Sequence, residues 1–533
     1  MSKSYDHSFV TSFKLPNPGL RAYFGNVVKG QPEIYDTPFA KGESTEDLLK
    51  AWDRILKSIA AEWPTLYDFE QDLRSKVGPL SVMLPLKDRK EDIQHYYDDI
   101  KLPSTPIDER ALKAVLSEWK SVSRLQKRSQ PQTVDAMKKS SNSGSPFFTK
   151  RRKVIKDTMP CTVSLSYGSN VLQILPSGKY TATAILGWRG QEGGYSKDDV
   201  KQRVVWMFPF AVNIEELSVY QPLIETAQNF DIVPAWVSME DVDEHITQLF
   251  DTKGAQDLVV CTDFSKYDQH FNSDMQDAAK YCISRIFADS ADMRRWLESV
   301  YPIKYNIPLA INYGEVWSGP HGMGSGSGGT NADETLTHRA LQYEAAIHSG
   351  ARLNPHSMCL GDDGILSYPG ITVDDVVRSY TSHGQEMNSD KQYASTQDCV
   401  FLRRWHHANY RVNGKCAGVY STFRALGRLR YLERFMDPKM WGPKMVALRQ
   451  LSILENIKFH PLKEQFVEFC MKRDKYRLGL DIPHFLDDLD KEAKKATAYM
   501  PDFLGYTKTL QSKGDPTGGI NDWWIVNYLR NHE

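Results

Sequence analysis

The chain has 533 residues, with 66 basic and 67 acidic side chains, so its formal net charge is −1. Hydrophobic residues make up 41% and charged residues 25%, which excludes collagen-like, wholly disordered and small disulfide-stapled proteins. At roughly 150 residues per domain, the length predicts three or four domains or subdomains. The absence of a net positive charge also argues against a protein whose whole surface binds nucleic acid.

The seven cysteines are scattered, and no two of them have the Cys-x-x-Cys spacing of a zinc or redox site. We therefore expect reduced thiols. The N-terminal residues lack the apolar stretch of a signal peptide, and nowhere is there a run of about eighteen apolar residues. These features predict a protein that is neither secreted nor inserted in a membrane.

Charge is unevenly distributed along the chain. Residues 138–157 hold seven basic side chains and one acidic one, residues 225–274 hold eleven acidic and two basic ones, and residues 403–434 hold eight basic and one acidic one. A block of one sign is usually a solvated face. A cleft that binds a polyanion together with divalent cations needs both signs, so we predict a basic tunnel inside a neutral molecule.

Apolar periodicity predicts a mixture of helices and strands. The helical patterns cover residues 43–62, 109–127, 277–299, 330–347 and 443–457. The strand patterns cover residues 257–262, 357–360, 364–368 and 399–402. We therefore predict an α+β fold that is rich in helices at both ends and has its strands in the middle.

Acidic residues stand at the ends of predicted strands. Asp263 follows the buried run Leu258-Val-Val-Cys-Thr, and Gly-Asp362-Asp363-Gly joins two short apolar segments, as in a hairpin turn. If these strands share one sheet, Asp263 and Asp362 lie close together. Carboxylates that close repel unless a cation joins them, and oxygen ligands favour Mg²⁺ or Mn²⁺. Alone, each motif is more often an ordinary turn or helix cap.

Three further motifs accompany these acids. The glycine-rich segment 321–330 contains Gly-x-Gly-x-x-Gly, but no strand-end acid follows it, so a loop that approaches ribose or phosphate is favoured over a dinucleotide site. Lys201 and Arg203 would project from one side of a strand toward a triphosphate, although a strand with a wet edge gives the same pattern. Residues 401–404, Phe-Leu-Arg-Arg, open the second basic block.

In this order the motifs resemble those of the palm-domain RNA-dependent RNA polymerases of RNA viruses. The matching residues span 143–404, about half of the chain, and comprise Ser143-Gly144-Ser-Pro146, Lys201 with Arg203, Asp263-x4-Asp268, Ser325-Gly326-x3-Thr330, Gly361-Asp362-Asp363, Lys391 and Phe401-Leu-Arg403-Arg404. Spacing and length are most similar to the polymerases of picobirnaviruses, with those of partitiviruses as neighbours.

The resemblance implies a right-handed polymerase fold with fingers, palm and thumb, closed by an N-terminal extension of the fingers. The implied units are the extension that bridges fingers and thumb (1–75), the fingers (76–254), the palm with the catalytic motifs (255–402), and the thumb with a C-terminal tail (403–533). The tail, from residue 505 onward, would fold back toward the cleft and regulate initiation.

The resemblance also implies roles for individual residues. Asp263 and Asp362, supported by Asp363, would hold two Mg²⁺ or Mn²⁺ ions, and Lys391 would be the general acid for pyrophosphate. The remaining implied contacts are with the nucleotide (Lys201, Arg203, Asp268, Ser325, Thr330 and Asn331) and with RNA (Ser143, Gly144, Pro146, Gly326, Arg403 and Arg404). Asp268 in particular would accept the ribose 2′-hydroxyl.

One position departs from the family pattern. In many relatives an asparagine four residues after the loop threonine partners the acid that accepts the 2′-hydroxyl, but this chain has Glu334 there. Either Asn331 or Ser325 would then share sugar selection with Asp268.

The implied enzyme replicates and transcribes a segmented double-stranded RNA genome by two-metal-ion nucleotidyl transfer. Its partners would be the RNA template, the nascent strand, NTPs and the viral capsid protein, and we expect a monomer without membrane contact, in the virion interior and the host cytoplasm. Two alternatives stay open. A reverse transcriptase would share the metal site but should have a bulky aromatic residue where Asp268 stands. An inactive, capsid-associated RNA-binding protein would not need both metal-binding acids.

Overall fold

The computed structural model describes residues 2–4, 18–166, 170–499 and 519–532. The first helices are α1 (Pro18–Lys29), α2 (Thr45–Leu56), α3 (Pro64–Arg74), α4 (Lys90–Asp98), α5 (Glu109–Glu118), α6 (Gln130–Asp135) and α7 (Ile155–Thr158). The middle helices are α8 (Phe210–Asn229), α9 (Pro234–Val237), α10 (Met239–Thr252), α11 (Ser273–Ile286), α12 (Ala291–Ser299), α13 (Thr330–His348) and α14 (Val373–Thr381). The last helices are α15 (Thr422–Arg430), α16 (Pro443–Glu455), α17 (Lys463–Met471), α18 (Leu489–Tyr499) and α19 (Trp524–Arg530).

The strands are short. They are β1 (Ser2–Ser4), β2 (Thr162–Ser166), β3 (Asn170–Leu175), β4 (Gly178–Thr181), β5 (Ala184–Gln191), β6 (Lys201–Met207), β7 (Val259–Thr262), β8 (Leu309–Asn312), β9 (Glu315–Ser318), β10 (Met358–Leu360), β11 (Asp363–Leu366), β12 (Tyr393–Ser395), β13 (Asp398–Phe401), β14 (Arg404–His407) and β15 (Val419–Tyr420). They pair in the orders β1-β9-β8-β5-β6, β10-β11-β7-β12, β13-β14-β15 and β2-β3-β4.

The predicted α+β class is confirmed, and two predicted helices need correction. Helices α13 and α16 agree closely with the predicted ranges, whereas the range 277–299 is divided between α11 and α12. The division lies at Ser290, whose hydroxyl accepts a hydrogen bond from the Met293 N–H at 3.0 Å and so caps a new helix. The range 109–127 is also too long, because α5 ends at Glu118.

Two large apolar cores organise the molecule. One is built from residues 27–380 and includes α13 and the strands around it. The other joins residues 39–77 to residues 405–529. The N-terminal helices α2 and α3 therefore pack on the C-terminal helices. The bounds of the four predicted units stay a prediction.

Glu70 of α3 links the two ends of the chain within the second core. Its side chain is buried, and its Oε2 accepts hydrogen bonds from the N–H of Thr422 at 3.1 Å and from the hydroxyl of the same residue. His460 Nε2 lies 3.2 Å from the same oxygen. Thr422 is the first residue of α15, so this carboxyl group caps the helix from another part of the chain.

The C-terminal helix α19 belongs to the same core. Ile525, Val526 and Leu529 are buried, and the Glu455 carboxylate accepts hydrogen bonds from the N–H groups of Trp524 and Ile525 at 3.2 and 3.0 Å. The first part of the predicted regulatory tail, residues 505–518, lies outside the described residues. Within the described ranges, no helix is both long and apolar enough to cross a bilayer.

We expect Glu70→Ala to lower the free energy of the first unfolding transition in urea by roughly 3 kcal/mol, because three buried donors lose their acceptor. Glu70→Gln is the matched control. Glu70→Gln should lower the free energy of unfolding by less than Glu70→Ala does, because its amide oxygen still accepts a hydrogen bond. Equal losses in the two variants would contradict the role given to the Glu70 oxygen.

Candidate active site

The sheet β10-β11-β7-β12 brings the two predicted metal-binding acids together. Strands β10 and β11 form an antiparallel hairpin in which Leu360 pairs with Asp363, and Gly364 of β11 pairs with Thr262 of β7. Asp263 directly follows β7, and Asp362 lies in the two-residue turn of the hairpin. The predicted hairpin and the shared sheet are therefore confirmed, and both acids lie at the same edge.

Helix α13 positions the backbone of this turn. The hydroxyl of Thr335 accepts a hydrogen bond from the N–H of Gly361 at 2.9 Å. His338 Nδ1 lies 2.8 Å from the carbonyl oxygen of Gly361, which can only accept, so Nδ1 carries the proton. His338 Nε2 then accepts from the hydroxyl of Thr262 at 3.3 Å. One imidazole thus joins the residues that directly precede Asp263 and Asp362.

The same helix face also binds the hairpin strands. The amide nitrogen of Gln342 donates to the carbonyl oxygens of Met358 at 2.9 Å and Ile365 at 3.2 Å. Positions 335, 338 and 342 lie on one side of an α-helix, so a single rigid element sets the hairpin. Gly361 has a φ of +59°, a left-handed conformation that glycine adopts without strain.

The two acids carry negative charge that the protein does not fully compensate. Partial removal from water raises the pKa of Asp263, and the positive charges of Lys76 and Lys391 only partly oppose this. The pKa of Asp362 is also raised, first by desolvation and then by repulsion from Asp268 and from Asp263. A carboxylate pair of this kind fits hard divalent cations such as Mg²⁺ or Mn²⁺.

The predicted acid Lys391 is exposed and follows a short turn next to Asp263. Its neighbour Gln392 fixes the backbone of Asp263, because its Oε1 accepts from the Asp263 N–H at 2.7 Å and its Nε2 donates to the Asp263 carbonyl at 3.1 Å. Sequence reasoning missed Gln392 and also missed Lys76. No local pattern marks either of them, since each depends on segments far apart in the chain.

Asp363 is oriented toward a second hairpin, β13–β14. Its Oδ2 accepts a hydrogen bond from the N–H of Leu402 at 2.8 Å. Leu402 and Arg403 form the turn of that hairpin with φ values of +53° and +57°. Burial, and then the charge of Asp362, raise the pKa of Asp363 to about 7. One of the oxygens of Asp363 is therefore already used to hold a left-handed turn.

On the opposite side of the site, Arg203 Nη2 lies 3.3 Å from Asp268 Oδ2. Lys201 is exposed at the start of the same strand, as predicted for a same-side pair. Glu334 is buried beside Asp268, and its pKa is raised well above the usual range, first by burial and then by the charge of Asp268, with which it shares a hydrogen bond. A raised pKa favours the protonated form of Glu334, which is the form that can donate a hydrogen bond to Asp268.

The other predicted nucleotide contacts lie around the glycine-rich loop. The Ser325 hydroxyl accepts from the Trp206 N–H at 3.3 Å, which ties the loop to β6. The Thr330 hydroxyl lies 3.2–3.3 Å from loop carbonyl oxygens. The Asn331 oxygen accepts from the Trp236 indole at 2.7 Å. Asn331 and Ser325, the two residues predicted to act with Asp268, bond elsewhere, whereas Glu334, which was not predicted for this role, lies beside Asp268.

The predicted RNA-contacting loops are largely packed into the protein. Ser143, Gly144 and Pro146 are buried. A Cβ atom at Gly326 would lie 1.6 Å from the carbonyl oxygen of Trp206, so only glycine fits against this strand. These residues fix the shape of two loops, and their contact with RNA stays a prediction.

The two adjacent arginines of the second basic block have different surroundings. Arg403 is exposed at the tip of the β13–β14 turn, 3.7 Å from Glu192. Arg404 is buried, and its guanidinium lies 3.3 Å from Asp243 and donates to the Gly418 carbonyl at 3.1 Å. Its position corrects the predicted RNA contact of Arg404, because its donors are used inside the protein.

The neutral state of His338 predicts a pH dependence of stability. Burial lowers its pKa to about 4, against about 6.5 in an unfolded chain, so between these values the unfolded chain binds the extra proton. The free energy of unfolding should fall as the pH drops through this window, by roughly 2 kcal/mol at about pH 5. His338→Phe should remove that part of the change.

Urea unfolding at about pH 7 and pH 5 measures the effect. His484→Phe is the matched control, because His484 is exposed beside Asp487. Its pH dependence should equal that of the unmodified protein. If His338→Phe keeps the full pH dependence, the assignment of a neutral imidazole at this position is wrong.

Comparisons with known proteins agree with the geometry. The family model described as "Viral RNA-dependent RNA polymerase" matches residues 34–469. A curated "Potential RNA-dependent RNA polymerase" of human picobirnavirus (strain Human/Thailand/Hy005102/-) is 60% identical over 522 residues, 97% of each chain. Two crystal structures are similar over the full length of both chains, the RNA-dependent RNA polymerase of a human picobirnavirus (58% identity, TM-score 0.95) and its insertion loop deletion mutant (56% identity, TM-score 0.93).

Proposed function

Because the chain belongs to the viral RNA-dependent RNA polymerase family, we propose that Asp263 and Asp362 are its metal-binding catalytic acids and that it joins nucleotides by two-metal-ion transfer. The observation that carries the proposal is the pairing of β7 with β11, which brings the two acids to one edge of the sheet. The raised pKa values of both carboxyl groups support it, since a bound cation would relieve their repulsion.

Each remaining step is assigned to side chains around this pair. Two Mg²⁺ ions, when bound, would activate the 3′-hydroxyl of the growing strand and neutralise the leaving pyrophosphate. Lys201 and Arg203 bind the triphosphate of the incoming NTP, in keeping with their place on one strand. Lys391 protonates the pyrophosphate, and its position near Asp263 supports this role. Asp363 supports the site by holding the adjacent turn.

RNA binding is assigned to two loops and to one exposed arginine side chain. Arg403 contacts the phosphates of the nascent strand, and its exposure at the tip of the turn supports this. Ser143, Gly144, Pro146 and Gly326 shape the loops that the template and nucleotide pass.

Sugar selection is assigned to Asp268 together with Glu334. A protonated glutamic acid donates a hydrogen bond as a carboxamide does, so Glu334 replaces the asparagine of many relatives and orients Asp268 toward the 2′-hydroxyl. Apart from the proton shared with Asp268, Glu334 Oε1 is buried without a hydrogen-bond partner among the described residues. A ribose hydroxyl would supply one.

The biological setting follows from the relatives. Their source, human picobirnavirus, supports replication and transcription of a segmented double-stranded RNA genome. In that setting the enzyme would act as a monomer with the capsid protein as partner, in the virion interior and the host cytoplasm.

The proposal predicts that Asp362→Asn abolishes incorporation of radiolabelled NTPs on single-stranded RNA, by at least about 100-fold, because one oxygen ligand of the metal pair is lost. RNA binding in a filter assay should be retained. Asp289→Asn, at an exposed acid that pairs with Arg294 and has no role assigned in the site, is the control and should keep full activity. An active Asp362→Asn enzyme would overturn the catalytic assignment, whereas an inactive parent enzyme would favour the RNA-binding alternative.

A second prediction concerns Glu334. Glu334→Gln should keep the preference for NTPs over dNTPs, because its amide N–H donates to Asp268 as the protonated acid does. Glu334→Ala should lose roughly tenfold of that preference, about the worth of one hydrogen bond. Competition between matched NTP and dNTP in single-nucleotide extension measures the ratio. Equal losses in both variants would contradict the neutral donor, and a parent enzyme that prefers dNTPs would favour the reverse transcriptase alternative.

A further inference from the structure

A second group of metal-ligating side chains lies behind the polymerase site. Asp231 follows α8, and Asp241 and His245 stand one turn apart on α10. His245 Nε2 lies 2.8 Å from Asp231 Oδ2 and 3.7 Å from Asp241 Oδ2. In the part of the chain that the structure describes, this is the place where three such ligand atoms lie within 4.8 Å of one another.

The carboxyl groups of Asp231 and Asp241 lie close enough for their charges to repel. Asp241 is partly buried, and one of its carboxylate oxygens lies within 4.8 Å of one of Asp231. The nearest lysine, Lys415, is paired with Glu244 at 2.7 Å and compensates little of this charge. Asp241 Oδ2 is buried and has no hydrogen-bond partner among the described residues.

The second nitrogen of His245 has a partner that suits metal binding. His245 Nδ1 lies 3.1 Å from His356 Nδ1. At this distance one of the two nitrogens donates and the other accepts, so His356 Nδ1 can accept a hydrogen bond from His245 Nδ1. His245 can therefore carry its proton on Nδ1 and turn the Nε2 lone pair toward the carboxylates. Metal-binding histidines are commonly oriented by a hydrogen bond of this kind.

We propose that Asp231, Asp241 and His245 bind one divalent cation of the zinc class, separate from the ions of the polymerase reaction, with His356 as a positioning residue. One imidazole nitrogen and two carboxylate oxygens suit Zn²⁺, Co²⁺ or Mn²⁺ better than Mg²⁺, which is bound mainly through oxygen. Asp231 is half exposed, which leaves a path for the ion and a free coordination position.

The position of the site gives the ion a structural consequence. His356 stands two residues before β10, the strand that leads to Asp362. A cavity of about 190 Å³ runs from Asp231 and His245 to Thr335 and Cys359. A bound ion would fasten α10 to the segment that enters the catalytic hairpin, so it would stiffen the hairpin from behind without contacting the substrate.

The test uses the full chain with the catalytic acids removed, Asp263→Asn/Asp362→Asn, freed of metal by chelation. We expect this protein to bind one Zn²⁺ per chain in equilibrium dialysis with metal analysis, and His245→Gln to weaken binding by more than 100-fold. His356→Ala should weaken it by roughly 10- to 100-fold. His484→Gln, which removes an exposed histidine beside Asp487, is the matched control and should bind as the parent does.

Thermal unfolding separates a metal ligand from a merely structural residue. Without metal, Asp241→Asn should unfold at the same temperature as the parent or higher, because it removes the contact between two acids. It should also lose the rise in unfolding temperature that Zn²⁺ gives the parent. Zn²⁺ binding that is unchanged by Asp241→Asn, or no Zn²⁺ bound by the parent, would overturn the proposal. Neither result depends on polymerase activity.

Discussion

The geometry of the catalytic edge depends on one face of helix α13. Thr335, His338 and Gln342 bind main-chain atoms of the β10–β11 hairpin, and His338 also reaches Thr262 on the neighbouring strand. Most of these hydrogen bonds go to main-chain groups of the hairpin. They therefore fix the backbone positions of Asp263 and Asp362 independently of any bound ligand. The same helix begins at the glycine-rich loop and carries Glu334, so the proposed metal site and the proposed sugar site share one rigid support.

Local patterns were enough to predict the hairpin, the strand that precedes Asp263 and the helix at 330–347. Each is specified by neighbours in sequence, through apolar alternation or period and through turn residues. Gln392 and Lys76 were not predictable in this way, because each reaches the site only after distant segments fold together. The raised pKa of Glu334 also depends on burial beside Asp268, and burial of a polar side chain leaves no mark in local sequence.

The sequence order of the charge blocks suggested a basic tunnel, but in the structure the acidic block and the second basic block are paired with each other in several places. Much of the second basic block is neutralised by the acidic block, through pairs that join α10 to the region after β13: Arg404 with Asp243, Arg411 with Asp251 and Lys415 with Glu244. Arg403, Arg424 and Arg428 also share one acid, Glu192. Many charges that cancel in the net total are therefore paired with each other inside the protein. Fewer basic side chains are available to contact RNA than the number in the second basic block suggests.

The hydrogen bond from the Leu402 N–H to Asp363 Oδ2 links the end of the sheet that carries Asp263 and Asp362 to the β13–β14 turn. The turn holds two non-glycine residues in left-handed conformations, which is costly without an external acceptor. Linkage between two binding sites is reciprocal, so if cations bind at the proposed catalytic acids and RNA binds at Arg403, any change that one event makes in the affinity of the other is returned by the same factor. Nucleotide loading and the grip on RNA would then report on one another through a single hydrogen bond.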